Sequence, residues 1–405
     1  MKTREYGGPT DAKQPQQTLP QARASRRVPN PVANHLRMTQ AIQRGITTLV
    51  LGLLLSLSAM SARAAASAAP PSFTALNKRV IDKYALPRFT RLAEASGGLA
   101  RELARTCDGE AGDLAAARKE FAAAALAWAE VEFLRLGPMA EIGRAERFYF
   151  WPDPRGVTQR QMNALIAKRD QSALDPAALV GKSAAVQGLG ALELLLYDDA
   201  RPVTGDDETA RYRCRFALSA ARSMQREAEA VVAGWQGDGG WRRRLLEPGA
   251  AGSPYKTSEE PAADFARALL TGLQMIQDRQ VAPMIAATAN PDRAPRLPFS
   301  RAQLSARYIA ASIRSAKALY EAMDLGRGVP KDKRWMPQWI TTAFSRLAND
   351  APAAVEDIGR EKPAEDRARQ LRMVRFHVEN IRKLVGRELA PLAGLTIGFN
   401  ELDGD

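Results

Sequence analysis

Beyond residue 72, apolar residues recur at three- and four-residue intervals over almost the whole chain, the spacing of amphipathic helices. The pattern predicts helices over 73–104, 111–136, 157–168, 183–197, 208–235, 259–288, 300–323, 333–358 and 363–389. Pro87 is expected to kink or break the first, and Gly137-Pro138 to stop the second. Asn290-Pro291 ends the helix that starts at 259, and Ser300 is a candidate N-cap for the next. No run alternates apolar and polar residues between hairpin turns, so no strand is expected. Gly and Pro crowd the segment from Gln236 to Tyr255, which reads as a junction. The expected fold is all-α, two packed helical bundles, with a first half at 73–235 and a second at 256–405.

The N-terminal region has a different pattern. Residues 1–37 are polar, basic and without periodicity. Arg44 then precedes an apolar run from Ile46 to Met60, about 15 residues and too short for a comfortable membrane span. Ser61-Ala62-Arg63-Ala64 supplies the small residues of a cleavage site. Residues 38–64 therefore read as a secretory signal peptide cut near Ala64 or Ala66, and 1–37 as a leader from a mis-assigned start. A long n-region, or an uncleaved anchor, is the alternative. No Cys follows the apolar run, so no lipid anchor is expected. The mature protein is expected in the periplasm, with no stable membrane span.

Charge changes the picture little. The formal net charge is +13, but residues 1–37 carry +5 of it and residues 38–64 a further +2, leaving about +6 on the rest. That remainder has no dense Lys/Arg run interleaved with aromatics, which argues against nucleic-acid binding. The two cysteines, Cys107 and Cys214, suggest one disulfide in an oxidising compartment, with two buried free thiols as the alternative. Of the two histidines, His35 lies in the leader and His377 stands alone on a helix, so a Ser-His-Asp or Cys-His catalytic set cannot readily be assembled. No catalytic residue is assigned.

Three stretches depart from plain amphipathic helix. In 128–156, Trp128 and Glu132 share a helix face and Arg135 follows one turn on. Arg144, Glu146 and Arg147 then lead into Phe148-Tyr149-Phe150-Trp151 and the stiff Pro152-Asp153-Pro154-Arg155. Aromatic rings beside ionisable groups suit the wall of a ligand pocket, or equally an inter-domain plug of satisfied ion pairs. In Gly188–Asp198, two glycines sit within a helical pattern and Glu193 lies among leucines. A carboxylate buried there needs a partner or a proton, and Arg135, Arg144 and Arg155 are candidate partners. A solvated Glu193 is the bland alternative. The tail, Ile397 to Asp405, holds acidic residues that could bind a hard cation, but lacks the alternating ligand spacing of a calcium loop.

These segments carry a resemblance. AWAEVEFLRLGP, FYFWPDPRG, VQGLGALELLLYD and the closing GLTIGFNELDGD resemble the imelysin-like proteins, and more narrowly their predicted periplasmic lipoprotein branch. SRAQLSARYIAASIRSAKALY fits the long helix of the second half. The resemblance spans most of 73–405. It implies two helical bundles with a pocket where they meet, a family named after an insulin-cleaving peptidase, and members linked to iron supply. The family's Gly-x-His-x-x-Glu falls on Gly188-Leu189-Gly190-Ala191-Leu192-Glu193, so Gly190 stands where the family has His. A metal ion is thus the one cofactor the resemblance raises, and its obvious ligand is missing.

The leading reading is a non-enzymatic periplasmic binding or accessory protein of the cell envelope. Its ligand-binding candidates are Glu132, Arg135, Arg144, Trp151, Asp153, Arg155, Gly188 and Glu193, for a small polar or anionic ligand or an envelope partner protein. An imelysin-type peptidase and a structural envelope protein without a ligand are the alternatives.

Overall fold

The computed structural model describes residues 72–107, 113–289, 295–357 and 364–397, all within one compact unit of residues 67–405. The leader at 1–37, the signal segment at 38–64 and the acidic residues 398–405 lie outside the described residues. The regular secondary structure of the described residues is all helical, with no strand among them.

The first predicted helix runs from Phe73 to Cys107 in two parts, α1 (Phe73–Val80) and α2 (Leu86–Cys107), joined by a wide π turn at Ile81–Ala85. Pro87 follows the π turn directly. A proline ring clashes with the carbonyl four residues back and offers no N–H to it, and the widened turn relieves that clash without ending the helix. After α3 (Leu114–Ala129), α4 (Arg144–Phe148) and α5 (Val157–Lys168) come α6 (Gly188–Leu196) and α7 (Glu208–Trp235). Asp207 caps α7 by accepting the N–H groups of Thr209 and Ala210. The second half holds α8 (Glu259–Met275), α9 (Ala282–Ala289), α10 (Ser305–Met323), α11 (Trp335–Glu356) and α12 (Ala364–Lys383). Two more π turns, Ile276–Val281 and Leu384–Leu389, each precede a proline, Pro283 and Pro391. All three are places where helical periodicity persists through a proline.

The largest interface is α2 on α7, followed by α2 on α3. Leu92, Leu99 and Leu103 of α2 are buried, and α7 meets them with Ala217, Ala221, Met224 and Ala228. The many alanines let the helix axes approach closely and bury little polar surface. Cys107, at the end of α2, is bonded to Cys214 of α7 with Cα atoms 5.5 Å apart. The stop after α3 seats on α7: Gly137 has φ +61°, and a Cβ there would lie 3.1 Å from the ring of the fully buried Trp235. In the second half α10 packs on α11 and α11 on α12, while α10 also meets α3 and α1 meets both α8 and α10.

The helix expected from Ser300 begins instead at Ser305. Residues 298–304 form a compact turn in which Phe299 and Gln303 take positive φ. The Ser305 hydroxyl donates to the Pro298 carbonyl and holds the turn against the helix start. The junction 236–255 contains a short helix, Trp241–Leu246, and Arg242 in it clasps Asp82 of the first π turn.

Candidate functional site

α6 is placed by its first residue. Gly188 has φ +57°, and a Cβ there would lie 2.2 Å from the Arg147 carbonyl oxygen and 2.3 Å from that of Phe148. Only glycine allows the helix to start directly on that strip of backbone. The same strip carries an aromatic stack. Phe148 lies on Trp128 at 5.0 Å between centroids, and Tyr149 lies between Phe299 at 4.4 Å and Trp151 at 6.0 Å.

Glu193, half-buried, projects from α6 toward the 298–304 turn. Its Oε1 accepts the Ala302 N–H at 2.9 Å, and the Arg301 N–H also acts on it. Burial raises its pKa, while these amides and the Arg301 charge oppose the rise. Of the arginines named as its partners, two serve other groups and the third is exposed. Arg135 is paired with Glu146 at 2.6 Å. Arg144 bonds Glu227 at 2.9 Å and also reaches Glu141 and the Pro138 carbonyl. Arg155 is exposed, and its carbonyl accepts a bond from Arg160. A carboxylate facing a turn with free N–H groups needs no guanidinium, which is why the expectation of an ion pair fails.

Glu132 occupies a second position, just past α3, and is 8% exposed. Its Oε2 accepts the Tyr308 hydroxyl of α10 at 2.8 Å. Burial pushes its pKa up to about 7, against the pull of the Tyr308 bond and of Arg279 and Arg135. Tyr149 sits close enough to both carboxylates for each to raise its pKa, although burial is the larger cause. Its hydroxyl is buried and lies near the Phe299 backbone without closing a hydrogen bond. The Trp151 Nε1 is likewise buried and unpartnered.

Of the candidates, Glu132, Trp151, Gly188 and Glu193 therefore gather around the Tyr149–Phe299–Tyr308 cluster. Arg135, Arg144 and Arg155 do not, and Asp153 caps α5 by accepting the N–H groups of Val157 and Thr158. Sequence reasoning passed over Tyr308, hidden in a regular helix, and the Phe299–Ala302 turn, of which it assigned the part from Ser300 on to that helix. Two described clefts lie away from this cluster: one of about 360 Å³ beside Trp235 and Arg242, and one of about 80 Å³ between residues 133–136, Arg135 among them, and α8.

A resident metal ion does not fit these residues. Glu193 is engaged by backbone amides, Gly190 offers no ligand, and no three His, Cys, Asp or Glu side chains among the described residues are grouped to hold an ion.

The Imelysin family model, Peptidase_M75, matches residues 85–379. No curated protein matches the chain. Two solved structures share the fold. An imelysin-like protein from Psychrobacter arcticum 273-4 is 19% identical, with 82% of this chain and 99% of that chain covered at a TM-score of 0.65. An iron-regulated protein A precursor from Parabacteroides distasonis ATCC 8503 is 15% identical, with 79% and 95% covered at 0.58. At these identities the likeness concerns the fold alone.

Proposed function

The chain belongs to the imelysin family, and from that premise we propose that it is an exported cell-envelope protein that binds a small polar ligand beside Glu193 without transforming it. The observation that carries this reading is a carboxylate anchored on backbone amides next to a buried, unpartnered hydroxyl, that of Tyr149. An unmatched buried donor is costly, and a ligand that accepts from it offsets that cost. Glu193 offers the complementary acceptor. With Arg135 and Arg144 committed elsewhere and Arg155 exposed, the site suits a polar ligand better than a strongly anionic one.

Hydrolysis would need a nucleophile or a metal ligand set beside Glu193, and Gly190 stands where the family motif has its histidine. Export rests on the signal pattern at 38–64. A role in iron or other metal supply is the context suggested by the family, and one similar fold bears the name iron-regulated protein A precursor.

The test is native mass spectrometry with elemental analysis of the protein purified from the periplasm, wild type against Glu193→Gln. The expected result is a small molecule released from the wild type on denaturation and absent from the variant, with thermal midpoints within about 2 °C, since an amide oxygen still accepts the Ala302 N–H. Equal retention by both proteins, or no retained molecule in either, refutes the reading.

A further inference from the structure

The 80 Å³ cleft past α3 combines unused hydrogen-bond donors with an apolar wall. Arg135 gives one Nη to Glu146, and Arg267 gives one Nη to Asp264, so each guanidinium keeps further N–H groups uncommitted. Thr271 lines the same cleft, is 5% exposed, and its hydroxyl has no partner among the described residues. The lining carboxylate, Asp264, is by contrast occupied on both oxygens. Asp264 takes the Arg267 N–H on one oxygen and the Tyr255 hydroxyl on the other, and Glu146 takes Arg135. Arg279, which has no ion pair among the described residues, adds positive potential close to Glu132 and Glu146. The lining itself holds two guanidinium groups to one carboxylate, a surplus of donors that favours an anion.

The opposite wall narrows the anion's class. Phe133, Leu136 and Ala268 face the same space. A tetrahedral oxyanion would set polar oxygens against these side chains. A carboxylate carries both oxygens at one end, matches the planar guanidinium fork, and leaves its hydrocarbon end for the apolar wall. A water needs about 10–15 Å³ of such volume, so the cleft holds an acid of about five or six heavy atoms.

We propose that this cleft is a binding site for a small aliphatic carboxylate, with Arg135, Arg267 and Thr271 taking its oxygens and Phe133, Leu136 and Ala268 its hydrocarbon part. The site is separate from that at Glu193, so the two readings can fail independently.

Calorimetric titration of the mature protein with butyrate, butyramide and inorganic phosphate at low ionic strength tests it. The expected result is saturable one-to-one binding of butyrate, with butyramide at least about tenfold weaker and phosphate weaker than butyrate. Thr271→Val removes a hydroxyl with no protein partner, so it should leave the thermal midpoint unchanged and weaken butyrate about threefold to tenfold. Arg267→Gln should weaken it about tenfold or more, and Glu193→Gln should not change it. The proposal is overturned if butyrate does not bind, if butyramide binds equally well, if phosphate binds more tightly than butyrate, or if Thr271→Val keeps wild-type affinity.

Discussion

Replacing Glu132 by Gln should stabilise the protein at alkaline pH and hardly at all in mild acid. Glu132 is buried against Tyr308, and burial moves its pKa from an ordinary 4.5 to about 7. The unfolded chain releases this proton near pH 4.5, whereas the native state keeps it to about pH 7. Between those values the native state binds more protons, so its stability falls as pH rises. The gap of about 2.5 pH units, at about 1.4 kcal/mol each, is a loss of about 3 kcal/mol once both states are ionised. By pH 5 a little of that loss has already occurred, so about 2.5 kcal/mol should separate pH 5 from pH 8.5. Gln keeps an acceptor for the Tyr308 hydroxyl and cannot ionise. Comparing variant with wild type cancels every other titrating group. Urea unfolding followed by far-ultraviolet circular dichroism at the two pH values gives the four stabilities required. The stability gap between variant and wild type should widen by about 2.5 kcal/mol from pH 5 to pH 8.5. A gap constant to within about 1 kcal/mol would show that water or a shifted arginine solvates the ionised carboxylate, and the burial argument would be wrong.

Other outcomes test separate parts of the structure. The Cys107–Cys214 bond closes a loop spanning 107 positions, and a loop of that length contributes about 4–5 kcal/mol on the chain-entropy account. Reduction, or the double serine variant, should lower the thermal midpoint by about 5–10 °C, and an unchanged melt would refute that contribution. Gly188 and Gly190 should diverge: Gly188→Ala drives a Cβ into two carbonyl oxygens and should cost more than about 3 kcal/mol. Gly190→Ala meets nothing nearer than the Tyr149 ring at 3.9 Å and should be neutral or stabilising by up to about 1 kcal/mol; equal effects in denaturant titrations would contradict the geometry at Gly188. N-terminal sequencing of the exported protein should begin between Ala65 and Pro71, and a mature chain starting at Met1 would sink the signal-peptide reading.

The sequence disclosed what depends on local periodicity and capping. Helices at Val157–Lys168 and Glu208–Trp235 have the bounds expected of them, because glycine or a capping aspartate fixes each start. Glu193 stood out as an acid set among leucines, and Glu132 as one sharing a helix face with Trp128. Their partners did not, since Tyr308 is 176 positions from Glu132 and Ala302 is 109 from Glu193. Residues 300–304 of the turn were read as helix because Ser300 is a candidate N-cap ahead of the periodic run. What makes it a turn is the Ser305 bond to Pro298 and the positive φ at Phe299 and Gln303, neither of which periodicity can register. The arginines near Glu193 in sequence were the natural guess for its partners, yet Arg135 and Arg144 pair with Glu146 and Glu227 and Arg155 is exposed.

The proline-linked π turns have a consequence for how these helices present their faces. Each widened turn accommodates roughly one residue more than an α-helical turn, so the side chains beyond it are rotated by about 100° relative to an uninterrupted helix. A stripe that faces one neighbour before Pro87, Pro283 or Pro391 points elsewhere after it. One rod can thereby serve two differently oriented packing surfaces without a loop between them. A helical wheel drawn through any of these prolines will misassign inside and outside by more than a quarter turn, and should be restarted at each. Deleting a single residue from Ile81–Ala85 would bring the two wheels into phase, turning the buried stripe of α1 away from α8 and α10 or that of α2 away from α7.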